Sequence, residues 1–175
     1  IVDWLIDEEK NLVVLSTNGL HRWSIDGASV DAAELLYAVD SGADLLRLPH
    51  GYLVSTDDAK LIRIDAHGAR RFDLGLSGHT MVLVGDDVFI SEPDNGTLVV
   101  IEAAHAGELF LMGRYPFDNV GHSLVAQGQR LWTAGVTYRW QRDDAAQRIL
   151  SAATLDSIVD IAAANGEFIL AGSIA

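Results

Sequence analysis

Hydrophobic residues lie in short runs along this chain, and a pair of such runs joined by polar residues recurs through the whole sequence. Each pair is an apolar run ending in Ser, Thr or Ala, then turn residues, then a second β-like run. This is the pattern of a β-hairpin. The copies are NLVVLSTNGLHRWSID at 11–26, GYLVSTDDAKLIRID at 51–65, DVFISEPDNGTLVVIE at 87–102, RLWTAGVTYRWQ at 130–141 and GEFILAGSIA at 166–175. The pattern predicts a repeated β structure.

The repeat has a period of about 39 residues. The residue that closes the first run advances in steps of 39, 36, 42 and 38, at Ser16, Ser55, Ser91, Thr133 and Ala171. A position in the second run advances in steps of 41, 37 and 39, at Trp23, Ile64, Ile101 and Trp140. Arginine precedes that position in three of the four copies, as Arg22, Arg63 and Arg139. The alignment therefore also predicts an arginine ladder, whose members we expect to pair with acids of the neighbouring repeat.

Each period has room for four short strands. In the second copy they are ADLLRLP, GYLVST, KLIRIDA and ARRFDL, separated by turn residues such as His67-Gly68. In the third copy, Asn95-Gly96 predicts a type I′ hairpin turn, because both residues tolerate positive φ. Two alanine-rich stretches, 32–39 and 145–164, could be helical on propensity alone. The period nevertheless assigns them to strands.

Four short strands per unit of this length are typical of a β-propeller blade. The predicted fold is therefore all-β: a β-propeller with four-stranded antiparallel blades, four of them complete and a fifth half present. The approximate blade limits are 1–40, 41–77, 78–118 and 119–156, with the half blade at 157–175, all in one propeller domain or part of one. Because four and a half blades would leave an open strand edge, we expect further polypeptide to complete the ring.

Composition and charge narrow the classes of function. The chain has 175 residues, 49% hydrophobic and 21% charged, which is a globular composition. Its 12 Lys+Arg and 25 Asp+Glu give a net charge of −13, which disfavours nucleic acid and membranes as partners. No apolar run is long enough for a membrane-spanning helix. The absence of cysteine excludes disulfides and thiolate sites within the chain and favours the cytoplasm. Another protein with a basic surface is the expected partner.

The repeat resembles that of WD-repeat propellers. Gly78-His79 and Gly121-His122 precede an inner strand, where that family has a Gly-His pair. Arg22-Trp23 and Arg139-Trp140 lie where the family ends its third strand in Trp-Asp. The resemblance runs over essentially the whole chain, although no single repeat is complete. It implies a non-enzymatic scaffold for protein–protein interaction.

A second resemblance leaves an alternative open. The segment LIRIDAHGARRFDL at 61–74 is similar to blades of NHL-type and lactonase-type propellers. Lactonase-type propellers hold a metal over their central channel, so this resemblance implies a metal-dependent hydrolase or lyase.

The histidines and tryptophans are assigned structural roles. The WD resemblance implies that His79 and His122 hydrogen-bond within their own blades, to Ser91 and Thr133 of the next strand. A buried imidazole needs such partners. The tryptophans are predicted to pack between blades or in the core: Trp23 and Trp140 between blades, Trp4 and Trp132 in the core.

The turns that follow each second strand are the predicted binding surface. Repetition places these turns side by side and concentrates negative charge on one face, which suits a basic partner. The residues are Thr17, Asn18, Asp57, Asp58, Glu92, Asp94 and Asn95. Oxygen ligands such as Glu92 and Asp94 can bind calcium or magnesium, but the sequence has no D-x-D-x-D-G loop. Recognisable nucleotide-binding and nucleophile motifs are also absent, so no catalytic residue, metal site or cofactor is predicted.

Overall fold

The computed structural model describes residues 1–26, 29–30, 32–76, 80–103, 107–116, 124–127, 130–133, 136–142, 147–154, 158–164 and 167–172. Within these ranges every element is a β-strand except one turn of 3-10 helix at Pro93–Asn95. None of the described helical structure is long and apolar enough to cross a membrane. The prediction of an all-β chain is confirmed.

The chain forms two compact units, the first made of Ile1–Ser77 with Ala106–Glu108 and the second of Gly78–His105 with Leu109–Ala175. The first unit contains two four-stranded antiparallel sheets. The first sheet consists of β1 (Asp3–Ile6), β2 (Leu12–Ser16), β3 (Gly19–Trp23) and β6 (Glu34–Tyr37), and a small hairpin of β4 (Ile25–Asp26) and β5 (Ser29–Val30) precedes β6. The second sheet consists of β7 (Gly42–Leu48), β8 (Gly51–Thr56), β9 (Lys60–Asp65) and β10 (Gly68–Asp73).

The second unit repeats this architecture. Its third sheet consists of β11 (Thr80–Val84), β12 (Asp87–Glu92), β13 (Thr97–Glu102) and β14 (Phe110–Pro116), and its fourth of β15 (Leu124–Gln127), β16 (Arg130–Thr133), β17 (Val136–Arg142) and β18 (Gln147–Thr154). A two-stranded sheet follows, made of β19 (Ile158–Ala164) and β20 (Glu167–Gly172). Four-stranded antiparallel sheets are thus confirmed. The alanine-rich stretches are strands β6, β18 and β19, because cross-strand pairing overrides helix propensity.

The core of each unit lies between facing sheets. In the first unit, the buried side chains of β2 and β3 pack on those of β7, β8 and β9: Val13, Leu15, Leu20, Leu45, Val54, Ile62 and Ile64. The Asp3 carboxylate accepts a hydrogen bond of 3.0 Å from the Leu45 amide, which joins β1 to β7. In the second unit, the core between the third and fourth sheets is formed by Val84, Phe89, Leu98, Val100, Leu124 and Leu131. Each sheet therefore contributes an apolar face to a sheet-on-sheet contact.

The turn between β12 and β13 differs from the predicted type I′ turn. Glu92 pairs with Thr97, so four residues lie in the loop, and three of them form the 3-10 turn Pro93–Asn95. In this turn Gly96 has a positive φ of 58°. Proline fixes φ near the helical value and so favours this turn over type I′, which needs positive φ at two residues.

The arginine ladder stays a prediction, and its two members in the first unit lie on corresponding faces of successive sheets. Arg22 pairs with Val13 and Arg63 pairs with Leu53. Val13 lies on the face of the first sheet that packs on the second, whereas Leu53 lies on the face of the second sheet that points away from the first. The Arg139 side chain lies outside the described residues.

The ion-pair partners of the two arginines differ from the prediction. Arg22 forms an ion pair of 2.6 Å with Glu34 on the adjacent strand of its own sheet, rather than with the next repeat. The Arg63 side chain is fully buried; it donates a hydrogen bond of 3.0 Å to the Glu108 carbonyl and lies 3.8 Å from the Asp65 carboxylate. Each guanidinium is therefore engaged by groups of the first unit.

The two tryptophans whose side chains are described, Trp4 and Trp23, differ in exposure. Trp4 is 61% exposed, so the prediction that it lies in the core is wrong. Register explains this exposure, because Trp4 pairs with Val14 on the face of the first sheet that points away from the core. Trp23 is half-buried and its ring lies 5.8 Å from that of His21. The side chains of Trp132 and Trp140 lie outside the described residues.

Candidate functional site

A groove opens between the two sheets of the first unit, at the end of the strands where β1 leads into β2 and β7 leads into β8. Its volume is about 580 Å³. The lining combines apolar side chains with charged and polar ones: Asp7, Glu9, Arg22, Leu36, Arg47, His50, Tyr52, Ile64, Asp65 and His67, with Gly51 and Ala66. A cavity of about 310 Å³ shares Glu9 and Arg22 with it. We call this feature the Asp7 groove.

A buried carboxylate forms the base of the Asp7 groove. Asp7 follows β1 directly and accepts hydrogen bonds from the Asn11 amide at 2.8 Å, from Asn11 Nδ2 at 3.1 Å and from Tyr52 Oη at 3.0 Å. Burial alone raises the pKa of Asp7, but the hydrogen bonds from Asn11 and Tyr52 together outweigh burial, and the pKa lies below its ordinary value of 3.8. The bond from Tyr52 links the turn of the first sheet to β8 of the second.

The two arginines of the groove are already engaged. The Arg47 guanidinium lies 5.0 Å from the centre of the Tyr52 ring, a cation–π geometry, and Nη1 donates a bond of 3.2 Å to the Gly51 carbonyl. The hydrogen bond to Glu34 raises the pKa of Arg22. Glu9, in contrast, is exposed, and its carboxylate accepts a bond of 3.2 Å from Asn11. An incoming ligand therefore meets an accessible carboxylate before it meets an accessible cation.

The pKa of the Tyr52 hydroxyl, which lies in the groove, can be tested through the pH dependence of stability. Burial, followed by the bond to the Asp7 carboxylate, raises the pKa of Tyr52 from 10.0 to about 12. A raised pKa stabilises the fold below the unfolded-state pKa, and this stability is lost as pH rises through the folded-state pKa. We expect the free energy of unfolding to fall between about pH 10 and 12 by about 2 kcal/mol more in the wild type than in Tyr52→Phe.

Alkaline denaturation of Tyr52→Phe and of Tyr37→Phe provides the comparison for this titration. Tyr37→Phe removes a phenol outside the Asp7 pair and is the control for the loss of a hydroxyl group. Equal pH dependence in the wild type and Tyr52→Phe would contradict the Asp7–Tyr52 bond.

The predicted binding turns of the first unit lie at the opposite end of the strands from the Asp7 groove. Thr17, Asn18, Asp57 and Asp58 are exposed there, in the β2–β3 and β8–β9 turns. Asp58 accepts hydrogen bonds from Lys60 and from Thr56 Oγ1, and the bond from Lys60 is the main cause that lowers the pKa of Asp58. Part of the negative charge of this turn is therefore neutralised within the turn.

In the second unit the predicted turn residues differ in exposure. Asp94 and Asn95 are exposed in the 3-10 turn, whereas Glu92 ends β12, is 3% exposed and lies 3.9 Å from Arg114. The sequence placed Glu92 among the loop residues, but the Pro93 turn begins one residue later and leaves Glu92 in the strand. Its carboxylate stabilises the sheet and is not part of an exposed acidic turn.

The Gly-His hypothesis stays a prediction, since His79 and His122 lie outside the described residues. Thr80 pairs with Ser91, and the Ser91 hydroxyl is fully buried with no hydrogen-bond partner among the residues described. The equivalent Ser55 hydroxyl is buried in the same way. The Thr133 side chain is also outside the described residues.

The described residues contain no group of three or more His, Cys, Asp or Glu side chains arranged to hold a metal ion. The sequence interpretation did not identify the Asp7 groove, because its central carboxylate, Asp7, lies outside the repeated pattern. The available signal was Asp7 itself, an acid directly after an apolar strand and four residues before Asn11.

No family model and no curated protein matches this chain. Two solved structures are similar to it in fold. One is a functionally unknown protein from Desulfotomaculum acetoxidans, with 14% identity and a TM-score of 0.55 over 86% of this chain and 68% of that one. The other is Kluyveromyces lactis Hsv2, with 10% identity and a TM-score of 0.61 over 92% of this chain. The chain spans about half, 52%, of the Hsv2 chain.

Proposed function

We propose that this chain is a non-enzymatic protein–protein interaction module of the β-propeller type, and that it binds a basic segment of another protein in the Asp7 groove. The observation that carries this proposal is the groove itself, which combines apolar lining residues with a few convergent polar groups. Such a combination is typical of binding sites.

The propeller part of the proposal is supported by how the sheets follow one another. In the first unit β1 lies beside β7, and in the second unit β11 lies beside β15 and β15 beside β19. Within each unit, the first strand of a sheet thus neighbours the first strand of the next sheet, as expected where blades surround a central axis. We also propose that further polypeptide completes the ring of blades.

The basic character of the partner follows from the charges of the groove. Asp7, Glu9 and Asp65 line it together with Arg22 and Arg47. Two residues outside the lining form ion pairs with it, Glu34 with Arg22 and Arg63 with Asp65. The lining therefore carries an excess of negative charge, and so does the chain, at −13. Both would steer a cationic segment toward the groove. Leu36, Ile64 and Tyr52 would contact its aliphatic parts.

Two charge reversals at opposite ends of the same sheets test the proposal. Glu9→Lys alters the Asp7 groove and Asp57→Lys alters the predicted acidic turn, and each changes the net charge equally. The probe is a fluorescent peptide of alternating lysine and leucine, titrated at physiological salt. We expect Glu9→Lys to weaken binding about tenfold, or about 1.4 kcal/mol, and Asp57→Lys to weaken it less than about threefold.

A peptide with glutamate in place of lysine is the control for charge, and it should not bind. If Asp57→Lys weakened binding more than Glu9→Lys, the binding site would be the acidic turn and not the Asp7 groove. An equal loss of affinity in both variants would mean that the peptide is attracted nonspecifically by the net charge. A lysine peptide that does not bind the wild type would contradict the proposal.

A further inference from the structure

The smaller cavity beside the Asp7 groove lies at the end of the first sheet where β2 begins and β3 ends. Its volume is about 310 Å³. The residues that line it are polar, charged or small: Glu9, Asn11, Arg22, Ser24, Ala32 and Glu34. We call it the Asn11 cavity. It shares Glu9 and Arg22 with the Asp7 groove, so a ligand bound in the groove extends into it without leaving the surface.

A buried amide provides one acceptor for the Asn11 cavity. The Asn11 side chain is more than nine-tenths buried, at 8% exposure, and its Nδ2 donates bonds of 3.1 Å to Asp7 and 3.2 Å to Glu9. The reverse orientation of the amide would place Oδ1 against two carboxylates, which accept hydrogen bonds and do not donate them when ionised. Nδ2 therefore faces the carboxylates, which leaves Oδ1 for the cavity that Asn11 lines. Within the part of the chain that the structure describes, this oxygen accepts no hydrogen bond.

The two acids of the cavity each keep one oxygen available. Arg22 donates from Nε at 3.1 Å and from Nη2 at 2.6 Å, and both bonds go to Oε2 of Glu34. Glu9 accepts its bond from Asn11 on Oε2 as well. The Oε1 atoms of Glu9 and Glu34 accept no hydrogen bond from any residue described. The lining residues thus carry three acceptor oxygens without a donor, one of them on a buried side chain.

The charges of the lining favour a single monovalent cation. Glu9 and Glu34 carry two negative charges and Arg22 carries one positive charge, so one further positive charge makes the lining neutral. The charges of Glu8 and Lys10, the sequence neighbours of Glu9, oppose each other. Calcium and magnesium prefer several carboxylates, and the described residues contain no group arranged to hold a metal ion. A lysine ammonium is a compact cation with three donors, which matches three available oxygens.

We infer that the Asn11 cavity binds the ammonium of one lysine of the partner segment, which donates to Asn11 Oδ1 and to the Oε1 atoms of Glu9 and Glu34. This inference rests on the proposed function, because the rest of the segment lies in the adjoining Asp7 groove. It adds a requirement to that function: one position of the segment must be a charged lysine. Acetylation of that lysine removes the charge and leaves a single N–H donor, so it should release the segment.

The test is a double-mutant cycle between the peptide and Glu34. The probe is a short fluorescent peptide with two lysines between leucines, in which each lysine in turn is replaced by norleucine. Norleucine keeps the carbon chain of lysine and lacks the ammonium. Glu34→Gln keeps an oxygen that accepts the Arg22 bonds and removes the charge. Replacement of one lysine should weaken binding to the wild type about tenfold and binding to Glu34→Gln less than about threefold. Acetylation of the same lysine should have the same effect as norleucine.

The matched control is Asp57→Asn, which removes one exposed negative charge at the opposite end of the strands. It should leave the loss at both lysines as in the wild type. Glu34 lines the Asn11 cavity and not the Asp7 groove, so the outcomes separate the two proposals. If the peptide binds the wild type and is weakened by Glu9→Lys, but neither lysine depends on Glu34, the Asn11 cavity is overturned and the groove stands. A peptide that does not bind the wild type would overturn both.

Discussion

Gly51→Ala is expected to unfold most of the first unit at temperatures where the wild type is stable. Gly51 begins β8 with a φ of +125°, which side chains other than glycine rarely adopt. A Cβ at this position would overlap the Ile64 carbonyl oxygen and lie 3.0 Å from Asp65 Cα. That carbonyl belongs to the paired strand β9, so it cannot move without disrupting the sheet. We expect a loss of about 4 kcal/mol or more in the free energy of unfolding.

Gly68→Ala separates the two causes of this loss. Gly68 begins β10 with a φ of +117°, but a Cβ there would have no described atom within 4 Å. This variant retains the backbone strain without the overlap and should lose about 1–3 kcal/mol. Denaturant unfolding of both variants measures the difference. Equal losses of unfolding free energy in the two variants would mean that overlap with the Ile64 carbonyl does not destabilise Gly51→Ala.

Asp7→Ala is expected to lower the free energy of unfolding by about 3 kcal/mol at neutral pH. The substitution removes the acceptor of three hydrogen bonds and leaves the Tyr52 hydroxyl and the Asn11 side chain without that partner inside the Asp7 groove. Buried donors without an acceptor cost more than the bond itself contributes. Denaturant unfolding at neutral pH measures the loss.

The pH dependence of the Asp7 effect has a defined sign. The pKa of Asp7 is depressed in the folded chain. Its stabilising effect is therefore present above the unfolded-state pKa near 3.8 and is lost as pH falls through the folded-state pKa. The gap between wild type and Asp7→Ala should narrow under acidic conditions. Asp57→Ala, at an exposed turn, is the control and should differ from wild type by less than about 0.5 kcal/mol. A gap that widens in acid would contradict the hydrogen-bonded carboxylate.

The sheets were predictable because their signal is local and repeated. Apolar runs with β-branched residues, interrupted by turn residues at a regular period, place the hairpins of all four sheets near their observed positions. The period also predicts strands correctly at 32–39 and 145–164, where alanine content favours helix. In those stretches the neighbouring strands, which a propensity scale ignores, determine the structure.

Register was not predictable from the same pattern. Arg22 pairs with the residue three before Ser16 and Arg63 with the residue two before Ser55, because the turn after β8 is one residue longer than the turn after β2. Exposure of Trp4 was missed for a related reason. Both sides of the first sheet are apolar, so hydrophobicity alone does not tell which side is covered within the first unit.

The Asp7 groove was not predictable because its residues come from positions far apart in the sequence. Asp7 and Tyr52 are separated by 45 residues, and Asp7 lies outside the repeated pattern. Their contact depends on how the two sheets of the first unit pack. A search for repeated residues identifies positions that maintain the structure of every repeat. A binding site in a repeat protein uses the residues that differ between repeats, and such a search does not find them.

Amide hydrogen exchange of the chain with and without the lysine–leucine peptide tests binding in the Asp7 groove most directly. Peptide binding is expected to protect the turns that line the groove, Asp7–Lys10, Pro49–Gly51 and Asp65–His67. The turn at the opposite end, Asp57–Ala59, should exchange at the same rate with and without peptide. Protection of Asp57–Ala59 with unchanged exchange at Asp7–Lys10 would contradict the groove and return the binding site to the acidic turn.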